Sequence, residues 1–419
     1  MIPTEATGDV RQLVVVGASL AGVKAVRAAR AAGYDGQIVL VGDEEHLPYD
    51  RPPLSKQFLA EERGLPHFHD AEFYADELDA TLLLGTPASS LLPAEHVVVV
   101  GGERVRYDAL VLATGATPRV IPEFAGTPGV HTLRNVDDAA AIRMAIDAGR
   151  DITILGAGFI GAEIASAARK SGCRVTIVEA SMFPLERALG KSMGRSISAM
   201  HGRNGVDLRC GVTITKVSAD ANGLNGIVLS DGTNLRTDIL LVSIGAVPAT
   251  AWLEDSGISM SPDGGVVCNE FLETSLEGVF AAGDIAYWPN SAMGSPMRLE
   301  HWTSANEQGA VAGRNAIHPA ERTAYSTVPY FWSDWYGNRI QFAGKAGSEE
   351  PEVVFGALDD DRFVALYRSG DRLIGALAVN EPSKIMKDRR RIAEGTEWKA
   401  ALAHYESLRE GVASSAARP

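Results

Sequence analysis

Residues 11–43 read RQLVVVGASLAGVKAVRAARAAGYDGQIVLVGD, and the fold turns on this stretch. Leu13 to Val16 is an apolar run, too short for a helix and rich in β-branched residues, so it reads as a buried strand. Gly17-Ala18-Ser19-Leu20-Ala21-Gly22 follows, and Val23 to Ala32 carries apolar residues at helical spacing. A second strand, Gln37 to Val41, ends at Gly42-Asp43. This is the strand–turn–helix–strand unit that binds a dinucleotide. Gly17 permits the tight turn, the helix N-terminus faces a pyrophosphate, and Gly22 lets helix and strand pack closely. Asp43 stands where a carboxylate accepts from ribose hydroxyls. The middle glycine of the usual G-x-G-x-x-G is Ser19 here, which crowds the backbone approach; a helix-capping serine in an ordinary βαβ unit is the alternative reading.

Working outward, a chain of 419 residues is long enough for two or three domains. A hydrophobic fraction of 46% with 22% charged residues describes a globular protein and excludes a disordered one. No run approaches the ~18 apolar residues of a membrane helix. The opening MIPTEATGD lacks a basic region followed by an apolar core, so a cytoplasmic location is expected. A net charge of -14 disfavours nucleic acid as a partner. Cys173, Cys210 and Cys268 are far apart and form no C-x-x-C, so neither a redox dithiol nor a metal site is expected. Each reads as a small apolar residue in or near a core.

A second copy of the opening unit starts at Asp151. Ile152 to Leu155 reads as a strand, Gly156-Ala157-Gly158-Phe159-Ile160-Gly161 as a complete G-x-G-x-x-G, Ala162 to Lys170 as a helix, and Arg174 to Val178 as a strand ending at Glu179. The acid stands about 20 residues beyond the first glycine, the spacing of ribose binding. Ala180 and Ser181 follow it, with no arginine, so the site accepts a 2′-hydroxyl and repels a 2′-phosphate. That favours NADH over NADPH.

Between and after these units lie shorter signals. Leu47 to Lys56 is stiffened by Pro48, Pro52 and Pro53, with a helix able to begin at Leu54. It either holds Arg51 and Lys56 against a cofactor or is a rigid surface turn. Val97 to Val100 and Val105 to Tyr107 read as a hairpin. Asp108 to Leu112 is a strand delivering Ala113-Thr114-Gly115, and Ile239 to Pro248, with Gly245, echoes it. Pro118, Pro122 and Pro128 mark a domain crossing. Gly278 to Asp284 is a strand with Gly283-Asp284 at its carboxyl end, the edge where open α/β sheets bind ligands; Asp284 either accepts from a ribityl hydroxyl or caps a helix. From about Tyr325 the pattern becomes antiparallel, with a hairpin at Phe363 to Leu377, a basic segment at Lys384 to Arg391 and a last helix from Glu397 to Leu408.

Together these motifs resemble the two-dinucleotide-domain flavoprotein reductases, and more narrowly the FAD-dependent NADH:ferredoxin reductases of the putidaredoxin-reductase and dioxygenase type. The resemblance spans nearly the whole chain. It rests on the Gly17 unit, Pro48 to Lys56 (PYDRPPLSK), Ala113-Thr114-Gly115, the Gly156 unit with Glu163, and Gly283-Asp284. It rests also on Glu300 to Gly309 (EHWTSANEQG), Phe331 to Asp334 (FWSD) and Gly375 to Asn380. It implies an α/β fold with two Rossmann-like, glutathione-reductase-like domains and a smaller C-terminal α+β domain. Residues 1–118 and 247–324 would bind FAD, 119–246 NAD, and 325–419 would form the last domain. FAD would be held by Gly17, Ser19, Ala21, Gly22, Asp43, Arg51, Lys56, Ala88, Ala113, Thr114, Gly115, Arg134, Gly283, Asp284 and Trp302. NADH would be held by Gly156, Gly158, Phe159, Ile160, Gly161, Glu163, Glu179 and Gly245. Lys56 would pair with Glu163 where nicotinamide meets flavin, the two being the catalytic pair. Relatives often carry tryptophan where this chain has Tyr330.

The activity so implied takes hydride from NADH to FAD and passes single electrons to a [2Fe–2S] ferredoxin serving a cytochrome P450 or a ring-hydroxylating dioxygenase. A rubredoxin reductase, an NADH oxidase and a redox-sensing protein like apoptosis-inducing factor share the architecture and stay open. The resemblance implies an acidic ferredoxin, so with this chain at -14 a local basic patch is expected to face it. If Ser383 caps a helix, Lys384, Lys387 and Arg391 share one face; that face either docks the ferredoxin or is merely solvated.

Overall fold

The structure, a computed structural model, describes residues 10–60, 64–221 and 223–416. It divides into two compact units: Met1–Asp50, Leu65–Thr117 and Ala246–Thr327 form the first, and Arg51–Gly64, Pro118–Gly245 and Val328–Pro419 the second. The segment 51–64, with Arg51 and Lys56, belongs to the second unit.

The first unit is built on a parallel sheet ordered Val279–Ala281, Ala109–Leu112, Gln12–Val16, Gln37–Val41, Ala80–Leu83. Leu13, Val14 and Val15 are fully buried, as a strand covered on both faces requires. The helix after it is Leu20–Ala31, three residues longer at its start than apolar spacing alone indicates, because the glycine loop supplies its first turn: Val23 N–H donates to the Ser19 carbonyl at 2.9 Å. Ser19 occupies the cap position, yet its side chain makes no capping hydrogen bond. This helix lies against Trp302–Ile317 with the backbones touching. A Cβ at Gly309 or at Gly313 would come within 2.2 Å of the carbonyl oxygens of Ala21 and Ala25 respectively.

In the second unit the parallel sheet runs Asp207–Cys210, Val175–Glu179, Ile152–Leu155, Ile239–Val242, Val130–His131; its first four strands repeat the arrangement of the first unit, and only the edge strand differs, Val130–His131 preceding the other four in the chain where Val279–Ala281 follows its own four. The likeness reaches single hydrogen bonds. Gly17 N–H donates to the Val41 carbonyl at 2.8 Å, and Gly156 N–H to the Val178 carbonyl at 2.8 Å. Both glycines have positive φ, +119° and +105°. A Cβ on Gly17 would lie 2.0 Å from the Ala113 carbonyl oxygen, and one on Gly156 2.3 Å from that of Ser243. Only glycine fits at either place, since the turn after the neighbouring strand passes directly over it.

The C-terminal part of the second unit is an antiparallel sheet ordered Tyr330–Trp335, Asn338–Gly344, Arg372–Val379, Phe363–Ser369, Glu352–Gly356, followed by helices Pro382–Ala393 and Trp398–Ala416. Its core includes Trp335, Ile340, Phe342, Phe363 and Tyr367, packed with Met193, Ile197 and Met200. His201 is fully buried there, stacked on Trp335 at 5.1 Å, with Nδ1 2.7 Å from the Tyr336 hydroxyl. Burial pushes this imidazole down to about 4. The unfolded chain takes up a proton near pH 6.5 that the folded chain refuses until about 4, so stability present above pH 6.5 is lost as pH falls through that window. Relative to His201→Gln, the parent should lose about 3 kcal/mol more between these limits. Denaturant unfolding at pH 7 and pH 4 measures it; equal losses in the two proteins would remove His201 from the acid response.

No helix among the described residues is long and apolar enough to cross a membrane.

Candidate functional site

Each glycine loop ends in the N-terminus of a helix with no acidic residue in its first turn and no side-chain cap, so each presents backbone N–H groups to an anion. In the first unit, Ala21 faces Gly283: a Cβ on that glycine would sit 3.2 Å from the Ala21 methyl. The Gly17 loop and the Gly283-Asp284 motif are therefore neighbours. Gly283 N–H donates to Gln308 Oε1 at 2.9 Å, and the Gln308 amide nitrogen, fully buried, has no partner among the described residues. Asp284 lies inside the short 3-10 turn Gly283–Ile285, whose cap is Ala282, so the capping role is not the one it fills. Thr114 Oγ1 donates to the Ala249 carbonyl at 2.7 Å, and Trp302 Nε1 to Asp50 Oδ1 at 2.8 Å. His301, the cap of the helix Trp302–Ile317, is pushed down to about 4 by burial. Asp43 is exposed two residues past the strand Gln37–Val41. Thr86 N–H donates to the Gly42 carbonyl at 3.0 Å, tying the approach to the half-buried Ala88 to that same edge. An acid at a strand end, a glycine loop and a second Gly-Asp turn around one helix N-terminus fit the adenosine, pyrophosphate and ribityl parts of FAD.

In the second unit the glycine loop is tied to its acid. Glu179 Oε2 accepts from Ala157 N–H and Oε1 from Ser181 N–H, both at 2.8 Å. Two backbone N–H groups thus hold the carboxylate at the loop. A Cβ on Gly158 would meet nothing within 4 Å, so the space in front of the helix is open, and Ile160 is 50% exposed beside it. The Phe159 ring packs on Phe331 at 4.7 Å, which leaves its backbone for a nucleotide. Gly161 lies against the Gly156 carbonyl, and Gly245, at φ +95°, closes the turn after Ile239–Val242. These features fit NADH.

The same unit gathers a buried polar cluster. The segment before it is a 3-10 turn, Pro52–Ser55, then a single helical turn, Gln57–Ala60, where a helix from Leu54 is the sequence expectation; proline's fixed φ suits the tighter first turn. That turn aims Ser55 and Lys56 at Glu163, which is 5% exposed on the helix Phe159–Lys170. Lys56 Nζ lies 2.8 Å from Glu163 Oε2 and Ser55 Oγ donates to the same oxygen. Ser333 Oγ donates to Oε1 at 2.5 Å. Arg51 Nη1 donates to the Arg134 carbonyl at 2.7 Å; Asn135 and Asp138 form a capping box just beyond Arg134. Ser55 and Ser333 stand inside PPLSK and FWSD, motifs recognisable in sequence, but nothing local to either assigns it a role.

The basic segment requires a correction. Glu381, not Ser383, is the cap of Pro382–Ala393, with Pro382 in the first helical position. Lys384 pairs with Glu381 at 2.6 Å and lies over the Phe355 ring, and Arg391 pairs at 2.6 Å with Asp388, which also accepts from the Tyr405 hydroxyl. Both cations thus neutralise acids of their own domain, and Lys387 is the exposed member of the three.

The chain matches the family described as pyridine nucleotide-disulphide oxidoreductase over residues 11–309 and that described as reductase C-terminal over 330–409. It is 34% identical over 385 residues to rhodocoxin reductase of Rhodococcus erythropolis, covering 91% of this chain and 89% of that protein. It is 35% identical over 388 residues to the ferredoxin–NAD(+) reductase component of the anthranilate 1,2-dioxygenase system of Burkholderia cepacia, covering 91% and 94%. The solved covalent putidaredoxin reductase–putidaredoxin complex superposes with a TM-score of 0.89 at 29% identity, covering 97% of this chain and 99% of that one.

Proposed function

This chain belongs to the pyridine nucleotide-disulphide oxidoreductase family, and from that premise we propose that it is an NADH-dependent, FAD-containing ferredoxin reductase of the cytoplasm. Its electrons go singly to a [2Fe–2S] ferredoxin that serves a cytochrome P450 or a ring-hydroxylating dioxygenase. The observation that carries this reading is a pair of dinucleotide cradles in a chain without a dithiol. Cys173, Cys210 and Cys268 are all free, and burial pushes each thiol up, Cys268 to about 12. The three cysteines form no disulfide that electrons could reduce, and none is an activated thiolate, so electrons from NADH leave for an external carrier.

Bound FAD supplies the conversion of one two-electron delivery into two one-electron departures. The first unit holds its pyrophosphate at Gly17–Gly22, its adenosine ribose at Asp43 and its ribityl chain at Asp284. In the second unit Gly156 to Gly161 hold the NADH pyrophosphate and Glu179 the ribose, with Lys56 and Glu163 orienting the nicotinamide and balancing charge. No side chain is asked to act as nucleophile or general acid.

The purified protein should be yellow and release FAD, not FMN, on denaturation. Steady-state NADH oxidation with a panel of ferredoxins, rubredoxin and oxygen should be fastest with a ferredoxin. A colourless protein that cannot be reconstituted with FAD, or turnover fastest with oxygen, would overturn the reading.

A further inference from the structure

Glu163 is gripped unevenly. Lys56 and Ser55 both hold Oε2, so those two contacts leave a pivot at one oxygen. The terminal torsion of glutamate is broad and two-fold, and a carboxylate held at one oxygen swings about it. The other oxygen is held from a different part of the chain, by Ser333 on the strand Tyr330–Trp335, 170 positions further along the sequence.

The direction of that bond is set by a third group. Trp335 Nε1 donates to Ser333 Oγ at 2.8 Å. An indole N–H only donates, so the serine oxygen is the acceptor there and its own proton is directed elsewhere. Glu163 Oε1, at 2.5 Å, receives it, a length typical of a hydroxyl on a carboxylate. Ser333 and Trp335 are alternate residues of one strand and so share a face. Both are fully buried, with the indole between the Phe159 ring at 6.0 Å and the His201 ring at 5.1 Å. The relay runs from the core of the C-terminal sheet to the carboxylate, and each member has its rotamer fixed by packing.

We propose that Ser333 is a positioning residue for hydride transfer: directed by Trp335, its hydroxyl fixes the plane of the Glu163 carboxylate and with it the direction in which Lys56 is presented. This rests on the reading of Lys56 and Glu163 as the pair at the hydride-transfer site. The C-terminal domain then contributes to the first half of the reaction, in addition to whatever it does for the electron carrier.

The test is Ser333→Ala, with Ser333→Thr as the conservative rescue and Trp335→Phe as a second variant that removes the directing N–H together with part of the buried ring. Stopped-flow reduction by NADH separates the limiting rate from the dissociation constant. Ser333→Ala should lower the limiting rate about tenfold or more, with the dissociation constant for NADH and the FAD content unchanged. Ser333→Thr should recover most of the rate, and Trp335→Phe should show a smaller loss. Independently of activity, the melting-temperature losses of Ser333→Ala and Glu163→Gln should be non-additive in the double variant, because both act on one bond: the first removes its donor and the second weakens its acceptor from carboxylate to amide. Glu163→Gln separates the two claims. If it reduces at the parental rate, the pair is not at the transfer site. If it is slow while Ser333→Ala or, should that variant not fold, Trp335→Phe reduces at the parental rate, the positioning role is wrong. Additive melting losses would also overturn it.

Discussion

Glu179→Gln is expected to abolish most of a preference for NADH over NADPH that, in the parent, should reach about a hundredfold or more in kcat/KM. A carboxylate set against a 2′-phosphate costs several kcal/mol, and each ~1.4 kcal/mol is tenfold. Glu179 is not a mobile surface acid that swings aside, because Ala157 and Ser181 N–H groups hold both its oxygens. Glutamine is the informative replacement. Its amide oxygen still accepts from one of these donors, so the loop keeps part of its tie while the charge is gone; alanine would remove both together. The gain should appear as a rise in kcat/KM with NADPH, and the loss with NADH should be smaller. Parallel steady-state titrations with the two nucleotides measure both. Comparable parental efficiencies, or no rise for NADPH in the variant, would show that Glu179 does not face the 2′ position.

Glu163→Ala should be the most damaging single change at the polar cluster. It leaves the Lys56 ammonium, whose side chain is 13% exposed, without its carboxylate, and breaking a buried pair this way costs about 3–5 kcal/mol of stability. It also strands the Ser333 hydroxyl proton and leaves Ser55 with only the Pro52 carbonyl, at 3.4 Å. If the pair orients the nicotinamide as proposed, flavin reduction by NADH should slow by about a hundredfold, while FAD, which the same proposal places in the first unit, should stay bound. Replacing both partners, Lys56→Met with Glu163→Met, should cost less stability than Glu163→Ala alone, because no buried charge is left uncompensated. Denaturant unfolding and stopped flow on the same samples decide it. A parental reduction rate in Glu163→Ala would make the cluster structural only.

The sequence by itself determined the two strand–loop–helix–strand units and, in the C-terminal sheet, the hairpin at Phe363 to Leu377. These are local objects. Gln37–Val41 and Ile152–Leu155 form where their apolar patterns place them, and the glycines at 17 and 156 mark turns that only glycine can make. The identity of the ribose acid Glu179 as a candidate was legible for the same reason, through its distance along one βαβ unit. Only the tertiary structure decided what surrounds Glu163. Ser55 and Ser333 reach it from 108 and 170 residues away, and neither periodicity nor composition records which hydroxyl will be buried against which carboxylate. The same holds for the basic helix. Spacing lines up Lys384, Lys387 and Arg391, but Glu381 and Asp388 take two of those charges into intramolecular pairs. Short-range steric rules set the strands and turns. The charge and hydrogen-bond partners of a buried group are set by which distant segments the core brings together, and that is a property of the packed chain.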